Sequence, residues 1–215
     1  MVPSVSRRRL IAASGIALFS TVSPLKAAQL LATPPQVKGP FYPLSLPLDR
    51  DNDLTSVAGN SGVAKGLITD IGGRVLDERG RAVPKVRVEI WQANAYGRYH
   101  HERDRQNKPI DPNFQGYGQF VTDADGGYRF RTIKPVAYPG RAPHIHFALT
   151  GEDFAPLITQ MYIAGAPENK NDQLLNSIGD ARLRESLIVK LTESADGSLR
   201  GTFDIVLAGN ALRAS

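Results

Sequence analysis

From Leu67 onward the chain repeatedly alternates apolar and polar positions with a period of two, and the alternating segments are separated by glycine, proline and aspartate. That pattern predicts short strands, each with one face toward a core and one toward solvent. LITDIGGRVLD turns at DERGRAVP, after which Val86, Val88 and Ile90 point one way while Arg87, Glu89 and Trp91 point the other. QFVTD is expected to turn back at ADGG into YRFRTI as a hairpin, HIHFALT reads as another strand, and SLIVKL and TFDIVL are expected to pair late around ADGS. Only the segment from about Asn171 to Glu185 reads as helical, and no internal repeat is visible. The expected fold is therefore all-β: an antiparallel β-sandwich over residues 66–215 with one short helical segment. Residues 29–65 are rich in proline and contain the polar run DRDNDLTSVAGNSG, so they read as an extended arm lying on that domain.

The first 28 residues differ in kind. A basic stretch, Arg7, Arg8 and Arg9, precedes about 15 mostly apolar or small residues from Leu10 to Leu25, and alanines follow. The stretch is too short to span a bilayer comfortably and reads as a signal peptide. Ser6, Arg7, Arg8, Arg9, Leu10 and Ile11 resemble a twin-arginine signal, so export, most simply to a periplasm, is expected. This segment also explains the net charge of +5: four of the 26 basic residues lie in it beside no acidic group, leaving 22 against 21 in the remainder. No stretch combines clustered basic residues with aromatics, and a nucleic-acid partner is not expected. The absence of cysteine removes disulfide scaffolds, thiolate metal sites and thiol nucleophiles, so any metal must be held by nitrogen and oxygen.

Candidate chemistry starts from His144 and His146, two of only four histidines. On a strand they share one face, while Ile145, Phe147 and Leu149 turn into the core. Two imidazoles one pleat apart suit a single metal ion, and they equally suit a pair of solvated or hydrogen-bonded histidines. Carboxylates do not cluster near this strand, since Glu152 and Asp153 fall past its end. Tyrosine is the other oxygen donor, and a phenol ionises near neutrality only beside a strong cation such as a trivalent metal. The Asp123, Asp125, Gly126 run lacks the distant bidentate glutamate of a calcium loop and reads as a turn.

The chain also reads GPFYP (39–43), VEIWQANAYGRYHH (88–101), DPNFQGYG (111–118), TDADGGYRFRTIKPVAYPGRAPHIHF (122–147) and ITQMY (158–162). In that order these motifs resemble the intradiol ring-cleavage dioxygenases, specifically the branch of the protocatechuate-cleaving catalytic subunits, over about residues 38–208. The resemblance implies a non-haem Fe(III) held by Tyr99, Tyr138, His144 and His146 at one edge of the sandwich. It places Tyr138 and His146 axially and Tyr99, His144 and a solvent hydroxide equatorially. It implies that Arg141 stabilises charge developing on the substrate, that Gln160 is its polar companion, and that Tyr42 lies near the substrate. His100 and His101 fall outside the implied ligand set, and Trp91 is expected to pack beside the metal strand.

The implied reaction is oxidative cleavage of a catechol between its two hydroxyl-bearing carbons, with both atoms of O2 entering a muconate-type product and Tyr138 taking a proton. No nicotinamide is required. Two departures from the family pattern stand out. Gly140 follows Pro139 where the family has a tryptophan, and only five residues separate Tyr138 from His144, so the wall is shortened and an unusual catechol becomes a candidate. No helical N-terminal domain is visible, which argues against the catechol 1,2-dioxygenase branch. Family members pair with themselves or with a homologous subunit, so an oligomer is expected. The rival readings are an exported binding module without turnover and a Zn(II) or Cu(II) site on the two histidines.

Overall fold

Strand β1 (Ile68–Asp77) is the longest, and its alternation buries Ile71 and Val75 while Asp70 and Arg74 face outward. It organises the first sheet. Along one side it runs antiparallel to β4 (Gly127–Ile133). Along the other it runs parallel to β9 (Leu199–Thr202) and then to β10 (Ile205–Leu207), with β8 (Thr192–Glu193) antiparallel beside β9. The second sheet has the order β3 (Tyr117–Val121), β2 (Arg87–Trp91), β5 (His144–Thr150), β6 (Leu157–Ile163) and β7 (Ile188–Val189). Its pairs are antiparallel except β6 with β7. This computed structural model describes residues 29–152 and 154–209, so the signal-like segment 1–28 and Asp153 lie outside the described residues.

The core lies between the sheets. Val88, Ile90, Ile145, Phe147, Leu149 and Met161 meet Ile71, Val75, Tyr128, Phe130, Phe203 and Ile205. The Phe147 ring is 5.1 Å from that of Phe203 and 6.1 Å from that of Tyr128. A fully buried aromatic is worth several kcal/mol, at roughly 25 cal/mol per Å² of apolar surface removed from water. The sandwich is all-β as expected, but four features differ from the sequence reading. The strand pairing is mixed rather than wholly antiparallel. The turn Asp123–Gly127 forms, with Gly126 N–H bonded to the Asp123 carbonyl, yet the strands it joins belong to different sheets and make no hairpin. SLIVKL and TFDIVL do not pair with each other: the ADGS turn instead joins β8 to β9, and Ile188–Val189 lies on β6. Alternation dictates which face is buried but not which strand is the neighbour, and all three differences follow from that.

The fourth difference is in the helices. The expected single segment is a 3-10 turn (Pro167–Lys170) followed by α1 (Gln173–Asn176) and α2 (Ala181–Ser186). Asp172 and Asp180 cap the two α-helices with their carboxylates. Residues 29–65 contain no strand; they cross from the first sheet, where Thr33 N–H bonds the Val206 carbonyl, to β6, where Gln36 N–H bonds that of Ile158. Leu54 is fully buried beneath β4 and anchors the end of this path. Among the described residues, no helix is long and apolar enough to cross a membrane.

Candidate metal centre

The outer face of the second sheet, the face turned away from the sandwich core, carries the chemistry. Register brings Trp91 opposite His146 on β5, His146 opposite Gln160 on β6, and His144 opposite Tyr162. Both histidines are 2% exposed although they face outward, because the arm and two loops cover them. The Trp91 ring stacks on His146 at 4.8 Å with an interplanar angle of 5°. Gly39, with φ of +72°, passes over the same imidazole, and a Cβ there would stand 3.3 Å from the ring. The site therefore lies on a sheet face under a roof, not at an edge of the sandwich.

Two loops supply the tyrosines. Asn94 folds its loop by accepting Tyr96 N–H and Arg98 N–H on its side chain, and Tyr99 N–H is held by the Asp104 carboxylate at 2.8 Å. Tyr138 begins the four-residue turn Tyr138-Pro139-Gly140-Arg141, closed by a bond from Arg141 N–H to the Tyr138 carbonyl at 2.9 Å. Proline second and a glycine of φ +79° third meet the requirements of a type II turn. That turn doubles Arg141 back onto Tyr138, and Nη1 of the arginine lies 3.4 Å from the phenol oxygen.

The four donors converge. Tyr138 Oη is 3.3 Å from His144 Nε2, which is 3.2 Å from His146 Nε2. The Tyr99 ring lies 5.7 Å from that of Tyr138 and 6.3 Å from that of His146. His144 Nδ1 is 2.6 Å from the Ala142 carbonyl, which can only accept, so the ring proton sits on Nδ1 and the Nε2 lone pair points into the cluster. Burial lowers the His144 pKa to about 4, with Arg141 adding to the effect, and burial holds that of His146 well below its usual value, with His144 and Arg141 adding to it. Both imidazoles are thus neutral donors near pH 7. Burial pushes the Tyr99 phenol well above its usual value, and Tyr138 beside it adds to this. Burial also raises Tyr138, against the pull of Arg141.

These residues fit a cation. Tyr99 Oη is buried with no hydrogen-bond partner, an orphaned oxygen that a metal would satisfy. Without one both phenols stay protonated, and a strongly charged ion is what would ionise them. Among the described residues, no three histidines or carboxylates gather into a metal-binding group, and the oxygen atoms beside these imidazoles include the tyrosine phenols.

Around the four, Arg141 donates from Nη2 to Gln160 Oε1 at 2.5 Å and to Tyr162 Oη at 3.2 Å, and from Nε to Asp172 at 2.9 Å. Gln160 is fully buried and its amide nitrogen donates to the Val37 carbonyl. A groove of about 190 Å³ opens here, lined by Ala137, Tyr138, Gly140, Arg141, Glu168, Asn171 and Asp172. Tyr42 stands one ring away from the donors: it meets Trp91 edge-on at 5.0 Å, and its hydroxyl reaches Glu89 at 3.4 Å. His100 is exposed, and His101 bonds the Tyr42 carbonyl and Arg103 N–H. Sequence reasoning passed over Asp172 and Tyr162. Tyr162 was accessible from alternation, since it shares a face with Gln160, whereas a lone aspartate before a short helix signals only a cap.

Two neutral imidazoles on the outer face of a nearly all-antiparallel sheet, with two loop-borne phenols and an arginine beside them, make a site whose donors suit a metal ion. Residues 37–209 match the family model described as Dioxygenase, and the chain belongs to the intradiol ring-cleavage dioxygenase family. It is 46% identical over 170 residues to the protocatechuate 3,4-dioxygenase beta chain of Burkholderia cepacia, a match covering 74% of this chain and 72% of that one. It is 30% identical to hydroxyquinol 1,2-dioxygenase of Corynebacterium glutamicum, covering 91% and 70%. Among solved structures, the dioxygenase domain of a dioxygenase carbohydrate-binding protein fusion from Streptomyces sp. SirexAA-E aligns with a TM-score of 0.64 at 29% identity, covering 82% of this chain and 98% of that one. An intradiol ring-cleavage dioxygenase from Tetranychus urticae shares the fold, with a TM-score of 0.67 at 20% identity over 86% and 98%.

Proposed function

We propose that Tyr99, Tyr138, His144 and His146 hold one non-haem Fe(III) and that the protein cleaves a catechol between its hydroxyl-bearing carbons, both atoms of O2 entering a cis,cis-muconate-type product. Addition of one O2 to one catechol balances without an external reductant. The observation that carries this reading is the gathering of the Tyr138 oxygen and the Nε2 atoms of two neutral imidazoles beside a buried Tyr99 phenol whose oxygen has no hydrogen-bond partner. When bound, Fe(III) would supply the Lewis acidity that ionises the tyrosines and the catechol hydroxyls and activates the ring toward O2.

The chain's own residues supply the rest. Tyr138, half-buried at the groove, is the group placed to take a substrate proton, because burial makes its neutral phenol the favoured form. Arg141 presents a fixed positive charge beside that phenol, and Gln160 and Tyr162 orient it. A preorganised charge of this kind stabilises an oxyanion at no reorganisation cost. Trp91 and the Gly39 backbone cover the His146 imidazole, Phe41 stacks on Tyr99, and together they keep water away.

The test is product analysis after incubation with a panel of substituted catechols under ¹⁸O2. Both oxygen atoms in a ring-opened diacid support the proposal; a product with one labelled atom, or an extradiol aldehyde, contradicts it. Arg141→Ala should keep metal and colour but lose roughly 100- to 1,000-fold in kcat, the scale of removing one oxyanion-type donor. Normal turnover in Arg141→Ala would show the assigned role to be wrong.

A further inference from the structure

Asp172 lies in no motif that carries the family resemblance, yet its carboxylate joins three parts of the molecule. Its side chain is 0% exposed. One oxygen accepts Arg141 Nε–H at 2.9 Å and Ala142 N–H at 2.8 Å, and the other accepts Leu175 N–H at 3.0 Å, the cap of α1. Burial opposes ionisation, but the amide hydrogens of Leu175 and Ala142 and the Arg141 guanidinium together hold this carboxyl below the usual carboxylate range. The ion pair is therefore buried and satisfied on both sides.

Two consequences meet in the site. With Nε bound to Asp172, the guanidinium is left to present its two terminal nitrogens, one to Tyr138 and the other to Gln160 and Tyr162. An arginine side chain has many rotamers to lose, and a single charge-assisted bond at its base removes much of that freedom before substrate arrives. The two peptide groups that flank the Ala142 Cα are both held, the N–H by Asp172 and the carbonyl by His144 Nδ1. The same carboxylate thus reaches the bond that sets the His144 tautomer.

We infer that Asp172 is a positioning residue for the ring-cleavage reaction, fixing Arg141 against the phenol of Tyr138 through its carboxylate while capping α1. This rests on the proposed function, and a double-mutant cycle separates the two. Asp172→Asn keeps an oxygen to cap Leu175 but turns an NH2 group toward donors on Arg141 and Ala142. In a protein that turns over a catechol, Asp172→Asn should lower kcat roughly 10- to 100-fold with KM changed far less, the scale of one charged hydrogen bond. On the Arg141→Ala background the same substitution should change kcat less than about twofold, because the two residues act as a unit. Asp172→Glu, which restores the charge, should recover part of the loss.

Unchanged kcat in Asp172→Asn, or a full additional loss on the Arg141→Ala background, would overturn the role of Asp172. Absence of catechol cleavage in the unsubstituted protein would instead overturn the proposed function. Where Asp172→Asn does not fold, Asp172→Ser keeps a capping oxygen and takes its place in the same cycle, with the same outcomes.

Discussion

Gly140 shows how one residue can set a site. Its φ of +79° closes the turn that returns Arg141 to Tyr138, and nothing lies within 4 Å of where a Cβ would stand. Any cost of a side chain there is conformational rather than steric. Gly140→Ala should lower stability by about 1–2 kcal/mol, read as a lower urea midpoint at unchanged m-value; an unchanged midpoint would contradict the strain. The Pro-Gly pair is a turn signal, but the sequence reading took Gly140 only as the mark of a shortened wall, whereas the motifs containing Tyr99, Tyr138, His144 and His146 made the donors legible. Asp172 and Glu89 were not legible. Glu89 is buried, accepting from Tyr117 at 2.6 Å, and no local pattern announces a carboxylate whose partners are 28 and 47 residues away.

At the scale of elements, β5 does two things with two faces. His144, His146 and Ala148 look outward while Ile145, Phe147 and Leu149 lock the strand into the sandwich. A slip of one residue would exchange the two sets, so the core residues hold the imidazoles in register. Phe147→Ala should cost about 3–5 kcal/mol by leaving a cavity between the sheets, measured by denaturant unfolding. A loss under 1 kcal/mol would mean that the strand is held mainly by its outer face. Faces were readable from alternation. Partners were not: the parallel runs of β9 and β10 along β1, and of β7 along β6, depend on contacts far apart in sequence that no period encodes.

Across the whole molecule, the sandwich provides a rigid wall, and the arm and two loops build the site on its outside. Residues 34–39 pass along β6 and over His146, bonding Thr159 and Gln160 through the Pro34 and Val37 carbonyls. The sequence reading placed this segment in an arm from its prolines and the polar run that follows, but could not place its course, since an irregular backbone is fixed only by what it crosses. Its route explains why two histidines on an outward face are buried and neutral. Whether two phenolates and two imidazoles share one ferric ion there is read most directly from iron content together with the visible spectrum of the purified protein and its Tyr99→Phe and Tyr138→Phe variants. One iron per chain should come with a phenolate-to-iron band that a catechol shifts and that each substitution weakens. A protein that carries iron with no such band, or whose band survives both substitutions unchanged, would contradict the account.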